Sequence, residues 1–403
     1  MVLNSFYPHD IRVRKEAETL IEAGYQVFLL CYKRRSEKKA EVRDGIQIHR
    51  VFIGESKVSV GIWDVISSIF FYHPIVGRIL KKFIKQHSID LLHVHDLPLA
   101  GTVLRVGKRH DIPVILDLHE NYPEALSVWF SWRKNALIRL KNYLFFNYKR
   151  WHNYEKYAVK QSDRVIAVVD EMKQKLISDH DLPSEKITVI SNTESCKFKE
   201  QQLNLNVYDD ISDGFVLLYA GYIGPHRGVD TVINAMKYLK RYPSIYFVIV
   251  GSASEDVMSY LKESAIRNGN EQNIIFKGFQ PFDTFYSYMS QASVNVIPHK
   301  KNGHTDFTIP HKIYQSMMAG KPVLVSSCEP LKRTVTRYQC GEVFEADNPA
   351  DCANKIERIY HDQKAAAKMG QMGQRATLEG HLNWEQTGKE LLTLYESITP
   401  DNG

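Results

Sequence analysis

Acidic residues are absent from one long stretch of this 403-residue chain, and cysteine is scarce throughout it. The five cysteines (Cys31, Cys196, Cys328, Cys340, Cys352) are odd in number and scattered, without the paired short spacings that zinc or redox sites use. That excludes a disulfide-stapled scaffold and leaves ordinary thiols. The 16 histidines contain no HExxH pattern, so the spacing offers no metal motif and no metal site is expected. No run approaches the roughly 18 uninterrupted apolar residues of a membrane-spanning helix. The opening MVLNSFYPHDIRV lacks the basic segment, apolar core and small-residue cleavage site of a secretory signal. A cytoplasmic location is therefore expected. A net charge of +6 is small for this length, so no nucleic-acid partner is expected.

What the chain does have is length for two cores and a repeated alternation of short apolar runs with helical periodicity. Strands are expected near 1–6, 26–31, 46–53, 90–94, 113–117, 164–168 and 187–190, with helices at 11–23, 74–87, 98–109, across 133–161, and at 170–178. After the polar stretch QQLNLNVYDDISDG the alternation restarts at FVLLYA. Strands follow at 215–220, 245–250, 273–276, 293–297 and 322–325, and helices at 229–240, 254–268, 282–290, 310–319 and 349–360. Doubly buried strands alternating with helices imply α/β lobes with parallel sheets covered on both faces. The expected division is a first domain over 1–199, a linker over 200–213, a second domain over 214–378, and a closing helix within 379–403 that returns to the first. Two Rossmann-like, doubly wound lobes of this kind are expected to face each other across a cleft, with ligands at the carboxyl ends of their strands. Asp209, Asp210 and Asp213 fall in the linker and read as a solvated turn rather than a cation site.

Two loops carry candidate chemistry. Gly221-Tyr222-Ile223-Gly224-Pro225-His226-Arg227-Gly228 joins the first strand of the second lobe to a helix. Its glycines let backbone approach a diphosphate and Arg227 adds forked donors, although a tight turn with a surface arginine would look the same. The second, GHTDFTIPHKIYQSMMAGKP, runs into a helix started by Pro310, with Thr308, His311 and Lys312 at its head and Gln315 one turn on. The bland alternative is a core helix with a solvated Lys312.

These motifs resemble glycosyltransferase family 4, of GT-B fold. The likeness lies in a strand leading to G-x-x-x-x-x-R-G and a helix, followed some 80 residues later by P-x-K-x-(aromatic)-(acid or amide)-x-M-x-A-G-x-P-V. FYPHDIRVRKEAETLIEAGYQV, DLLHVHDLPLAG, VILDLHENYPE, SDRVIAVVDEMKQKL and VISNTES in the first half are similar to the family as well. The resemblance implies transfer of a hexose from a nucleoside-diphosphate sugar with retention of configuration. It also implies no cofactor and no dedicated metal, with the donor on the second lobe and the acceptor on the first. It places Gly224, Arg227, Thr308, Ile309, His311, Lys312 and Gln315 at the donor. His119 and Asp306 are the expected catalytic residues, and Arg12, Arg14 and Glu120 lie on the acceptor side. A structural hydrogen-bonding role for His119, and a solvated helix face for Arg12 and Arg14, are the alternatives.

The chain departs from the family pattern at three positions. Where many members carry two glutamates in the second motif, Phe307 and Gln315 stand here, and Tyr222 occupies a basic position of the glycine loop. Gln315 keeps hydrogen-bonding capacity and Phe307 does not, leaving Asp306 as the nearby acid. A catalytically weak binding subunit of the same fold, or a nucleotide-sugar epimerase, would fit those changes. The acid-free stretch is LSVWFSWRKNALIRLKNYLFFNYKRWHNY, residues 126–154, and 58–83 mixes aromatic and basic residues in a similar way. Helices of this composition lie in anionic headgroups, so a lipid-linked or glycan acceptor and a peripheral position at the inner face of the plasma membrane are expected. Aromatic core helices with a basic outer face are the alternative.

Overall fold

The computed structural model describes every residue except 9, 55, 131–135, 212–213 and 399–403, and leaves aside the side chains of 57, 130, 136 and 137. It resolves two compact units, Met1–Ser191 with Gly388–Gly403, and Asn192–Thr387.

The first unit opens with β1 (Val2–Phe6), α1 (Ile11–Glu22), β2 (Phe28–Tyr32), β3 (Ala40–Arg43) and β4 (Ile46–Val51). It continues through α2 (Lys57–Phe70), α3 (Pro74–Gln86), β5 (Leu92–His95), α4 (Leu97–His110) and β6 (Val114–Leu118). Then come α5 (Tyr122–Phe130), α6 (Ala136–Phe145), α7 (Tyr148–Gln161), β7 (Arg164–Ala167), α8 (Asp170–His180) and β8 (Ile187–Val189). The sheet order is β3-β4-β2-β1-β5-β6-β7-β8. Every pairing is parallel except β3 with β4. β3 is short, polar and mostly exposed, as suits an edge. Helix starts follow local chemistry: Asp10 accepts from the Val13 N–H ahead of α1, and Asn147 accepts from the Arg150 N–H ahead of α7. β5 reads LHVH, so His93 and His95 share one face, and the register sets His95 beside Asp117 of β6.

The second unit contains β9 (Phe215–Ala220), α9 (Val229–Ala235), β10 (Ile245–Val250), α10 (Glu255–Asn268), β11 (Ile274–Gly278) and α11 (Phe285–Gln291). It adds β12 (Val294–Ile297), α12 (Lys312–Met318), β13 (Val323–Ser326), α13 (Glu329–Tyr338), β14 (Gly341–Phe344), α14 (Pro349–His361) and α15 (Gln363–Leu378). α16 (Trp384–Glu396) starts here, and from Gly388 its residues group with the first unit. The all-parallel sheet has the order β11-β10-β9-β12-β13-β14, with a buried apolar layer on each face.

The domain limits expected from composition need correcting. Residues 192–199 belong to the second unit rather than the first. The stretch 200–213 is not a free linker: Val207, Tyr208 and Ile211 are buried in the second core, and the Tyr208 hydroxyl donates to the Tyr288 carbonyl at 2.8 Å. Three apolar side chains in a polar run suffice to dock it. Asp210 pairs with Lys277 at 2.6 Å, while Asp213 lies outside the described residues.

Candidate active site

In the second unit, the loop leaving β9 and the turn entering α12 come together. Gly221 has φ +129°, and a Cβ there would sit 2.8 Å from the Lys312 Nζ, so only glycine leaves the amine its place. Gly228, at φ +67°, presses on the Pro298 carbonyl and closes the turn before α9. The Gly224 carbonyl accepts the Arg227 N–H at 2.9 Å, and the His226 carbonyl accepts the Lys300 N–H at 3.0 Å, which ties the loop to the chain beyond β12.

Lys312 lies with its Nζ 3.9 Å from the Tyr219 ring centroid, and Arg227 Nη1 meets His299 Nε2 at 3.1 Å. The Arg227 Nε is buried without a hydrogen-bond partner, and among the described residues neither cation has a carboxylate partner. Burial and the neighbouring Arg227 push the Lys312 amine well below the ordinary lysine range. Burial first, then the same cations, hold three imidazoles neutral: His226 falls to about 3, His304 to about 4, and His299 goes well down. Other basic groups nearby are neutralised, Lys300 by Asp230 and Lys301 by Glu329. Positive charge without counter-charge, next to neutral donors, is a seat for an anion.

Not every expected donor residue has a free side chain. Thr308 donates from its hydroxyl to the His304 carbonyl at 3.0 Å, and Ile309 is buried with its carbonyl accepting from Asn192 Nδ2 at 3.2 Å. His311 precedes α12 and its carbonyl receives the Tyr314 and Gln315 N–H groups. Asp306 accepts the Glu329 N–H at 3.1 Å and lies 3.5 Å from Lys301, so it braces the start of α13. Gln315 is buried, donating at 2.7 Å to Glu194 Oε2. Glu194 escaped the sequence reading although it sits within the quoted VISNTES motif. Its other oxygen, Oε1, accepts the Ser195 N–H at 2.9 Å.

In the first unit, Arg12 needs correcting as an acceptor-side group. It is 3% exposed, donates from Nε and Nη2 to Asp117 and from Nη1 to the Ile190 carbonyl, and pairs with Glu16. Its guanidinium is thus fully engaged inside the unit. Arg14 is on the solvated side of α1, 3.8 Å from Glu18, and Glu120 is half-buried after β6. His119 stands between two carboxylates, with Nε2 3.0 Å from Asp117 Oδ2 and Nδ1 3.4 Å from Asp96 Oδ2. Burial opposes its charge, but Asp96 and Asp117 outweigh it and raise the imidazole to about 10. Asp96 itself has φ +63°, a conformation an aspartate adopts at a cost of about 1–3 kcal/mol, and it accepts the His119 N–H at 3.0 Å.

The two segments expected to meet a membrane fall on α2, α3, α5, α6 and α7. α2 exposes Val58, Ile62 and Phe70, and α6 exposes Leu140, Tyr143 and Leu144. Lys141 and Arg150 stand over the Phe146 and Phe71 rings. Trp132, Arg133 and Lys134 of the same segment lie outside the described residues. No single described helix is long and apolar enough to cross a membrane; α2 and α3 meet at 78°.

A two-sheet α/β chain with an anion seat after β9 belongs to the GT-B glycosyltransferases. The family models agree: residues 202–376 match the glycosyl transferases group 1 model and 11–193 match the glycosyltransferase family 4 model. The chain belongs to glycosyltransferase family 4. It is 26% identical over 80% of its length to a glycosyltransferase of Methanocaldococcus jannaschii, covering 79% of that protein. To a phosphatidyl-myo-inositol mannosyltransferase of Mycolicibacterium smegmatis it is 22% identical, over 81% of this chain and 76% of the other. The solved structure of Anabaena HepE in complex with UDP and glucose superposes with a TM-score of 0.74 at 14% identity, over 98% of this chain and 99% of that one.

Proposed function

We propose that the chain transfers a hexosyl group, with retention of configuration and without a metal in the transfer step, from a nucleoside-diphosphate sugar to a glycan or lipid-linked acceptor of a surface polysaccharide, lipopolysaccharide or glycolipid. The observation that carries this reading is the pair of carboxylate-free cations, Arg227 and Lys312, beside Gly221 and Gly224. A diphosphate supplies the missing charge, and preorganised cations stabilise it further as it leaves. The HepE complex with UDP supports the donor class, and the likeness to a phosphatidyl-myo-inositol mannosyltransferase supports a lipid acceptor. His119, charged between its two aspartates, serves the sugar as a cation and hydrogen-bond donor, not as a proton acceptor. The apolar rows of α2 and α6 with neighbouring lysines and arginines support a peripheral station on anionic membrane from the cytoplasmic side.

The test is product release. Free nucleoside diphosphate is expected from one donor of a uridine, guanosine and adenosine diphosphate-sugar panel, only when acceptor is added, and with the donor's anomeric configuration kept in the product. Donor binding without turnover across many acceptors would instead favour a binding subunit, the reading to which Phe307 lends weight. Release from donor alone, with a changed sugar, would identify an epimerase. Co-sedimentation with anionic vesicles, lost at high salt, checks the membrane station.

A further inference from the structure

We propose that Glu16, His93, His95 and Asp117 bind one divalent transition-metal ion of the zinc type inside the first unit, as a structural site separate from the donor seat. One ligand atom from each of the four residues lies within 4.8 Å of all the others, and all four residues are buried. His95 Nδ1 is 3.3 Å from Asp117 Oδ2 and 3.9 Å from Glu16 Oε2; His93 Nε2 is 3.7 Å and 3.9 Å from the same oxygens. A tetrahedral ion with bonds of about 2.1 Å needs ligand–ligand edges of about 3.4 Å. Four of the six edges are therefore within a small adjustment of that figure. Two imidazoles with two carboxylates are the donor set of zinc and its neighbours rather than of calcium or magnesium.

The surroundings brace the ligands. His93 Nδ1 is 2.8 Å from the Tyr395 hydroxyl, which fixes the ring with Nε2 inward, and that buried Nε2 has no hydrogen-bond partner. Arg12 holds the outer oxygens, Asp117 Oδ1 at 3.0 Å and Glu16 Oε1 at 2.9 Å, leaving Glu16 Oε2 turned to the histidines. Asp117 Oδ2 is shared: Arg12 Nε approaches it at 3.1 Å and His119 Nε2 at 3.0 Å. Arg12 and His119, whose Nε2 lies 3.2 Å from His95 Nδ1, bring two positive charges to the three carboxylates Glu16, Asp96 and Asp117, which leaves one buried negative charge over and Glu16 Oε2 facing the imidazoles without a hydrogen-bond partner. A cavity of about 540 Å3 at the amino-terminal ends of β1, β2 and β5 has His93 and Tyr395 in its lining. Four protein ligands leave no open coordination position, so the ion ties α1, β5 and β6 together and does no Lewis-acid chemistry. A second group, His152, Glu155 and His180, offers three donors with His152 partly exposed, and serves as the control.

The experiment uses the full chain, stripped with chelator and titrated with Co2+ as a visible probe, then with Zn2+. One equivalent of Co2+ is expected, with the absorption of a tetrahedral nitrogen and oxygen site, displaced by Zn2+, and with a Zn2+-dependent rise in Tm. Glu16→Gln and His93→Asn should each weaken Co2+ binding more than about 100-fold, the upper range for loss of a supporting group, while His152→Ala leaves it unchanged. A folded wild-type chain, by circular dichroism, that takes up neither ion overturns the site and leaves a proton shared by Glu16 and Asp117 as the positive species. Binding that survives both substitutions, or that His152→Ala abolishes, overturns it equally. Should either ligand variant fail to fold, the wild-type stoichiometry and spectrum still decide.

Discussion

The donor seat of the second unit and the histidine cluster of the first are built on opposite electrostatic terms. Around Arg227 and Lys312 the described residues supply no carboxylate, and three histidines are kept neutral. Around His119 three carboxylates, Glu16, Asp96 and Asp117, meet two cations, Arg12 and His119, so that nearly every charge is matched from within. Both groups lie at strand ends of parallel sheets, so topology does not distinguish them. The difference is how much of the balancing charge the protein supplies: all but one charge in the first unit, and no carboxylate among the described residues in the second, where the proposed diphosphate would supply it.

Breaking the matched cluster should have the largest effect. Asp117→Asn leaves Arg12 and His119 short of a buried counter-charge, and a loss of about 3–5 kcal/mol in stability is expected by denaturant unfolding. The same kind of change in the donor seat should act on binding instead. Arg227→Ala is expected to weaken nucleoside-diphosphate binding about 100-fold, close to 2.7 kcal/mol by calorimetry. Lys312→Met should lower donor affinity while raising Tm, because an unpaired buried amine is removed. A fall in both would mean that the contact of Lys312 with the Tyr219 ring outweighs the cost of burying its amine.

Acid sharpens the contrast further. An imidazole held at about 4 in the fold, as in His304, and at about 6.5 when unfolded binds its proton only in the unfolded chain between those values. Stability is therefore lost as pH falls from about 6.5 to 4, at up to about 1.4 kcal/mol per pH unit for each such group. The His304→Asn protein should show a shallower slope over that window in pH-dependent unfolding. The smallest effect is linked to the ligand. A diphosphate at Lys312 favours the charged amine, so binding should take up a fraction of a proton, read from calorimetry in buffers of different ionisation enthalpy.

How much of this was legible in the sequence depended on whether a feature is contiguous. The Gly221–Gly228 loop and Lys312 stand in short motifs whose residue types already announce anion binding. His299 and Tyr219 complete the same seat, yet they belong to apolar runs that read as core. The Glu16, His93 and Asp117 cluster is assembled from α1, β5 and β6, and no spacing rule joins positions so far apart in the chain. The stretch 200–213 looked like a linker because its polar residues outnumber the three side chains that dock it. α13 and α15 went unread: one starts at Glu329 behind a loop capped by Asp306, and the other is rich in small residues whose periodicity is faint. Arg12 was read as an acceptor contact because a basic residue after the first strand looks the same whether it faces solvent or the carboxylate of a distant strand.

The depressed basicity of Lys312 also makes it a nucleophile. An amine of lowered basicity beside a fixed guanidinium is placed to react with an aldehyde that carries its own phosphate, as pyridoxal phosphate does, and borohydride would fix the adduct on the side chain. Gly221, by leaving the amine room, thus provides a covalent handle on the donor seat, and protection of that handle by an unlabelled sugar nucleotide would report occupancy without any knowledge of the acceptor.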